Sequence, residues 1–147
     1  MAVAAGKTNA KFITIDIDDY ADAVRDISLS ITDVSIPVTF DTADVTGYSD
    51  GVTRITTGHA NHPLTMTGVY DTEALVGAHT VLSRLVGVLE TSTTITIQIG
   101  IRAAPVAGMP EYEGLFFCTS LVYSGDLTFT AEFVPATTVA PAWQLVV

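Results

Sequence analysis

The stretch TITIQIGI, Thr94 to Ile101, decides the fold class. Isoleucines at 95, 97, 99 and 101 alternate with Thr94, Thr96, Gln98 and Gly100. Successive side chains of a strand point to opposite faces, so this pattern gives one apolar face for a core and one polar face outside it. Leu127, Phe129, Ala131 and Phe133 alternate in the same way with Thr128, Thr130 and Glu132. The long apolar run Tyr112 to Tyr123 precedes them across Ser124-Gly125-Asp126, a tight-turn sequence, so the two runs read as a hairpin whose first strand is covered on both faces.

Further strand signals lie upstream. Lys11 to Ile17 and Pro63 to Tyr70 each read as one strand. Val24 to Phe40 is a longer element with a fault: Ile27, Leu29 and Ile31 share one parity, Val34, Ile36, Val38 and Phe40 the other. A period of two changes face after one extra residue, which predicts a bulge or short turn near Thr32–Asp33. Pro37 has no N–H to give, so that part belongs at an edge or beside a bulge. The stretch VSIPVTFDTADVTGYSDG, Val34 to Gly51, then drops its alternation, and residues 41–58 read as a long polar loop with Val45, Tyr48, Val52 and Ile55 stranded in it.

One segment has the helical period. Between Asp71 and Leu89, Leu75, Ala78, His79, Leu82, Leu85, Val86 and Leu89 recur at three- and four-residue steps. Asp71 or Thr72 is the predicted cap and Gly87 the stop. One amphipathic helix among about seven strands gives a mainly β fold, a β-sandwich or barrel with a helix packed on it. No linker or internal repeat divides residues 1–147, so one domain is predicted, long enough to bury roughly 68–70% of its unfolded surface.

Composition narrows the function. Hydrophobic residues make up 48% and charged residues 15%, against disorder. Sixteen acids and six bases leave a net charge of −10, the wrong sign for holding nucleic acid or an anionic membrane. The start MAVAAGKTNAKF predicts no secretory leader, and no run reaches the about 18 apolar residues of a membrane span. A single cysteine, Cys118, rules out an internal disulfide and reads as a small core residue, which suits a reducing cytoplasm.

Chemical motifs are sparse. His59-Ala-Asn-His62 lacks the cysteines or H-E-x-x-H pattern of a zinc site and reads as two solvent-side loop histidines. Asp16, Asp18 and Asp19 miss the calcium-loop spacing, and Ala5-Gly6-Lys7-Thr8 lacks the first glycine of a phosphate loop. Glu111 and Glu113 share a strand face as exposed polar positions. His79, on the apolar stripe, reads as a satisfied, partly buried histidine. No catalytic residue, metal or cofactor is predicted.

The pieces have a recognisable order: AAGKTNAKFITID, VRDIS, VSIP, DTADVTGYSDG, GHANHPLTMTGVYD, the helix, then EYEGLFFCTSLVYSGDLTFTAEFVPAT. From Gly6 to Thr137 this resembles the major tail tube proteins of long-tailed bacteriophages. The resemblance implies a virion structural protein that self-assembles into hexameric rings. Stacked with other tail proteins, the rings form a conduit for DNA ejection that DNA crosses without specific binding. It implies assembly in the host bacterial cytoplasm, no enzymatic activity and no membrane binding. On it, residues 41–58 become an assembly loop presenting Val45, Tyr48, Val52 and Ile55. The polar faces Thr94, Thr96, Gln98 and Thr128, Thr130, Glu132 become lumen walls. The tail at 138–147, with Trp143, departs from the pattern. A capsid decoration or head–tail connector protein, or a β-sandwich binding module, are the competing readings.

Overall fold

A computed structural model describes residues 12–74, 77–86, 92–100, 103–137 and 140–147, and for 58–61 the backbone alone. Among these are ten strands: β1 (Ile13–Asp18), β2 (Val24–Asp26), β3 (Ile31–Ser35), β4 (Thr39–Asp44), β5 (Ile55–Asn61), β6 (Leu64–Val69), β7 (Thr93–Ile99), β8 (Pro110–Tyr123), β9 (Thr128–Pro135) and β10 (Ala142–Leu145). One short helix, α1 (Ala78–Leu82), joins them. The fold is mainly β, as the alternation requires.

Eight strands form one antiparallel sheet in the order β2-β1-β7-β8-β9-β6-β3, with β10 also paired to β8. The fourteen-residue β8 is the corner of this sheet. Its first half pairs with β7 on one side and β10 on the other, and its second half pairs with β9. Phe116 belongs to both halves, opposite Thr93 and Pro135. A register shift between Cys118 and Ser120 follows at once, and an extra residue of this kind bends and twists a strand.

The sheet's far ends are joined through the chain between β2 and β3. Ile27 N–H donates to Ile15 C=O at 3.0 Å, and Ile15 N–H donates to the Ser28 hydroxyl at 2.7 Å. A single 3-10 turn, Ser28–Ser30, then delivers β3 to β6. The crossover lies so close to β6 that a Cβ on Gly68 would stand 2.2 Å from Ser30 O and 2.8 Å from the Phe129 ring. The fault read in Val24–Phe40 is therefore this turn plus a bulge between Ile31 and Asp33. Leu29, on the turn, points into solvent.

The inner face carries one core: Ile15 and Ile17, Ile95 and Ile97, Tyr112, Phe116 and Cys118, Phe129, Ala131 and Phe133, Leu64 and Met66, closed by Ala78, Val81, Leu82 and Leu85. Burial pushes the Cys118 thiol up to about 11, so it packs as an apolar group.

Four expectations need correction. The helix does not begin at Asp71. It starts after Gly77, where the backbone is extended; Gly77 N–H donates to Glu73 C=O and His79 N–H to Asp71 C=O. Leu75, Gly87 and Leu89 lie outside the described residues. Residues 41–58 are not loop throughout: 41–44 and 55–58 are strand, paired as β4–β5, and residues 45–54 connect them. β8 is not covered on both faces, since Glu113, Leu115 and Val122 are exposed. Leu127 does not continue the apolar face of β9. It closes the preceding turn with φ 60 and is 58% exposed.

Candidate assembly surfaces

The first surface is the outer face of the sheet. Register fixes its members. Thr94, Thr96 and Gln98 of β7 stand opposite Leu115, Glu113 and Glu111 of β8. Thr130 and Glu132 of β9 stand opposite Val122 and Ser120 of β8, and Thr128, Thr130 and Glu132 opposite Val69, Thr67 and Thr65 of β6. All six polar residues predicted from alternation thus share one continuous face. Glu132 is exposed, and the threonines and Gln98 are half-buried.

This face also carries Asp16, Asp26, Asp33, Glu111 and Glu113 by register. Among the described residues it holds no lysine or arginine. Arg25 has the other parity, opposite Ile17, and pairs with Asp19 at 2.8 Å. Loss of water around Asp16, reinforced by the Asp26 carboxylate, holds its carboxyl above the usual value.

Glu111 was read as an exposed position, yet it is buried on this face. The Gln98 side-chain amide donates to its Oε1 at 3.1 Å, and that of Gln144 on β10 donates to Oε2 at 3.0 Å. The clasp fastens the C-terminal strand to β8. On the opposite side of β10, Trp143 lies against Tyr112 with ring centroids 5.3 Å apart. Sequence alone could not find this pairing, because four residues without a core face give no periodic signal.

The second surface is the hairpin β4–β5. Every residue of β4 is exposed. Val45 is 50% exposed, Tyr48 112%, Val52 74% and Ile55 64%. The hairpin is held by polar groups instead of a core. Asp44 Oδ1 accepts from the Thr46 N–H and hydroxyl at 2.8 and 2.6 Å, Arg54 N–H donates to Thr46 Oγ1 at 2.8 Å, and Gly47 N–H donates to Asp50 Oδ2 at 2.7 Å. Two short connectors with a proline each, Ile36-Pro37-Val38 and His62-Pro63, join it to the body. His62 is buried there, edge-on to Phe40 at 6.2 Å, not solvent-side as predicted. The side chain of His59 lies outside the described residues.

His79 is half-buried and hydrogen-bonded through Nδ1 to the Tyr123 hydroxyl, with the Tyr70 ring tilted against it at 4.8 Å between centroids. Its predicted role as a satisfied packing group fits this arrangement. Among the described residues, no three His, Cys, Asp or Glu side chains are grouped to hold a metal, and no helix is long and apolar enough to cross a membrane.

No family model matches the sequence, and no curated protein matches it. Solved structures share the fold, among them two from gene transfer agent particles. One is a chain in the virion of a native gene transfer agent particle, with TM-score 0.64 and 15% identity over 96% of this chain and 100% of that chain. The other belongs to the tail of an empty gene transfer agent particle of C6 symmetry, with TM-score 0.63 and 18% identity over the same shares. At such identities the likeness is one of fold.

Proposed function

We propose that this chain is a structural subunit of a phage-like tail, assembling into sixfold rings that stack as a tube through which DNA leaves the particle. The carrying observation is the β4–β5 hairpin. A lone two-stranded hairpin is marginal in water, and this one also exposes Val45, Tyr48, Val52 and Ile55. A contact with a neighbouring subunit supplies the cover that its own body lacks, and tyrosine suits such a contact because it buries a ring while keeping a hydrogen bond. The full-length fold likeness to chains of a tailed particle supports the same reading.

The outer sheet face fits the wall of such a tube. Hydroxyls and carboxylates hold water, and a face whose described residues include no cation releases no counterions from passing phosphates, so DNA gains nothing by staying on it. In this reading Thr94, Thr96, Gln98, Thr128, Thr130 and Glu132 face the lumen, and the protein is a non-enzymatic virion component.

Electron microscopy of the purified protein at rising concentration tests the proposal. Rings and tubes are the expected outcome. Closed shells would favour a capsid role, and monomers at every concentration would remove the reading. Glu132→Lys is a second test: the ring changes by about twelve charges per layer, the subunit folds, and DNA now adheres to the wall with an affinity that falls as salt rises. Glu132 on the outer surface of an assembled tube would refute the lumen assignment.

A further inference from the structure

The tip of the β4–β5 hairpin carries a peptide bond that is open to chemistry. Of the aspartates in the chain, Asp50 alone precedes glycine. After the others a side chain follows, β-branched in Asp16-Ile17, Asp33-Val34 and Asp44-Val45, and its Cβ shields the backbone nitrogen beside it. Gly51 has no such shield and is exposed. A Cβ built there would meet nothing within 4 Å, so no neighbour crowds the nitrogen either. Its N–H donates to no acceptor among the described residues.

The adjoining carboxyl is held only by the tip itself. Asp50 N–H donates to Gly47 C=O at 3.0 Å, Gly47 N–H donates back to Asp50 Oδ2 at 2.7 Å, and Arg54 Nη1 lies 3.5 Å from Oδ1. No core stands behind these bonds. Water competes for bonds so placed, and a segment held by them opens locally at little cost. Once Gly47 lets go, rotation about the Asp50 Cα–Cβ bond carries Cγ to the Gly51 nitrogen.

We propose that Asp50-Gly51 is a self-modification site, at which the hairpin tip converts to isoaspartate through a succinimide. The Gly51 nitrogen attacks Cγ of the protonated Asp50 carboxyl. The N–Cγ bond forms, the amide proton passes to solvent, and the carboxyl hydroxyl leaves as water. Water then opens the ring. Opening at Cγ restores aspartate, whereas opening at the Asp50 main-chain carbonyl carbon gives isoaspartate. One water is lost and one is taken up, so the mass is unchanged and nothing is oxidised or reduced. In the product the main chain runs through Cβ and Cγ, one methylene longer. The carboxylate leaves the position that Gly47 N–H and Arg54 require, and the tip loses its clamp. On the ring-and-tube reading, on which this consequence alone rests, subunits that stay free age out of assembly.

The test holds the purified full chain in warm buffer at neutral pH. Samples are assayed for methyl transfer from S-adenosylmethionine by a protein-isoaspartate methyltransferase, and the acceptor is located by peptide mass spectrometry. Methyl acceptance is expected to rise with time and to map to the peptide that holds Asp50-Gly51. Gly51→Val is expected to lose the signal without disturbing the fold, since its Cβ meets nothing within 4 Å. Asp50→Asn is expected to shed ammonia at the same bond. No acceptance in the wild-type chain, acceptance that maps elsewhere, or a signal that persists in Gly51→Val would overturn the proposal. So would Asp50→Asn protein that keeps its amide, because the Gly51 nitrogen then does not reach Cγ. Where tubes form in an aged sample, they are expected to be depleted of isoaspartate relative to the unassembled protein. Equal content would overturn the assembly consequence alone. Wild-type protein that stays monomeric would overturn the ring-and-tube reading, while the methyl-transfer result still decides the chemistry.

Discussion

Two hairpins of the molecule, β8–β9 and β4–β5, have similar composition and opposite logic. In β8–β9, one face of β9 is Phe129, Ala131 and Phe133, all fully buried, and the other is threonine and glutamate. In β4–β5, threonine and aspartate again dominate, yet neither face of β4 is buried. Their turns even share a device: Asp44 accepts from Thr46, and Asp126 accepts from Thr128, each through the N–H and the hydroxyl two residues on. The difference is what lies behind the strands. β9 is held by a core, whereas β4–β5 is held by its own polar bonds. Local hydrogen bonding can shape a hairpin, but burial decides which hairpin stabilises the subunit.

Truncation should expose that difference most strongly. Phe133→Ala removes a fully buried ring and is expected to cost about 3–5 kcal/mol in urea denaturation. Ile55→Ala, in the same measurement on the monomer, should cost less than about 0.5 kcal/mol, as at a surface position. Equal costs would mean that the hairpin packs on the body and that the contrast is wrong.

A smaller effect comes from adding one methyl group. At Gly68 the new Cβ would meet Ser30 O at 2.2 Å, so backbone must move. Gly68→Ala is expected to destabilise by about 1–3 kcal/mol, as overpacking does. Gly51, in the hairpin tip, has open space around it. Gly51→Ala should leave the denaturation midpoint unchanged. A silent Gly68→Ala would show that the β2–β3 crossover does not bear on β6 as described.

These contrasts also explain what the sequence made legible. Ile95 and Ile97, Phe129 and Phe133 face a core, so burial imprinted a period of two on them, and both strands and their polar faces were readable. Where burial imprints nothing, the reading failed. Asp41–Asp44 has no core face, so the end of a strand reads as loop. Ala142–Leu145 is too short to show a period, so its pairing with Glu111 and Tyr112 was invisible. The helical spacing reaches back to Leu75, with Asp71 or Thr72 as a cap, so the sequence predicts a longer helix. Gly77 is the sequence signal for the later start: a Cβ there would stand 2.6 Å from Asp71 O and from Glu73 N, so only glycine fits. Leu127 kept the parity of β9, and parity alone cannot report a left-handed turn residue.

The shared Asp-x-Thr turn gives the finest test of the comparison, through pH. In both turns the threonine hydroxyl and N–H favour the charged carboxylate, so Asp44 and Asp126 lie below the ordinary aspartate value of 3.8. A depressed folded value means that the bonded carboxylate contributes stability above pH 3.8, and that this is lost as pH falls through the folded value. Asp16 has the opposite sign. Its value is raised by burial and by Asp26, so protonating it on acidification relieves the sheet. Acid should therefore loosen the turns while the outer face gains. The two turns should not respond alike. Thr128 starts a strand pinned by Phe129, so its amide should keep its hydrogen-exchange protection below pH 3.8. Thr46 has no such anchor, and its protection should fall together with that of Arg54, whose N–H depends on the Thr46 hydroxyl. Asp44→Asn should remove the pH dependence at Thr46. If Thr46 and Thr128 lose protection in parallel as the pH drops, burial behind β9 does not distinguish the two hairpins.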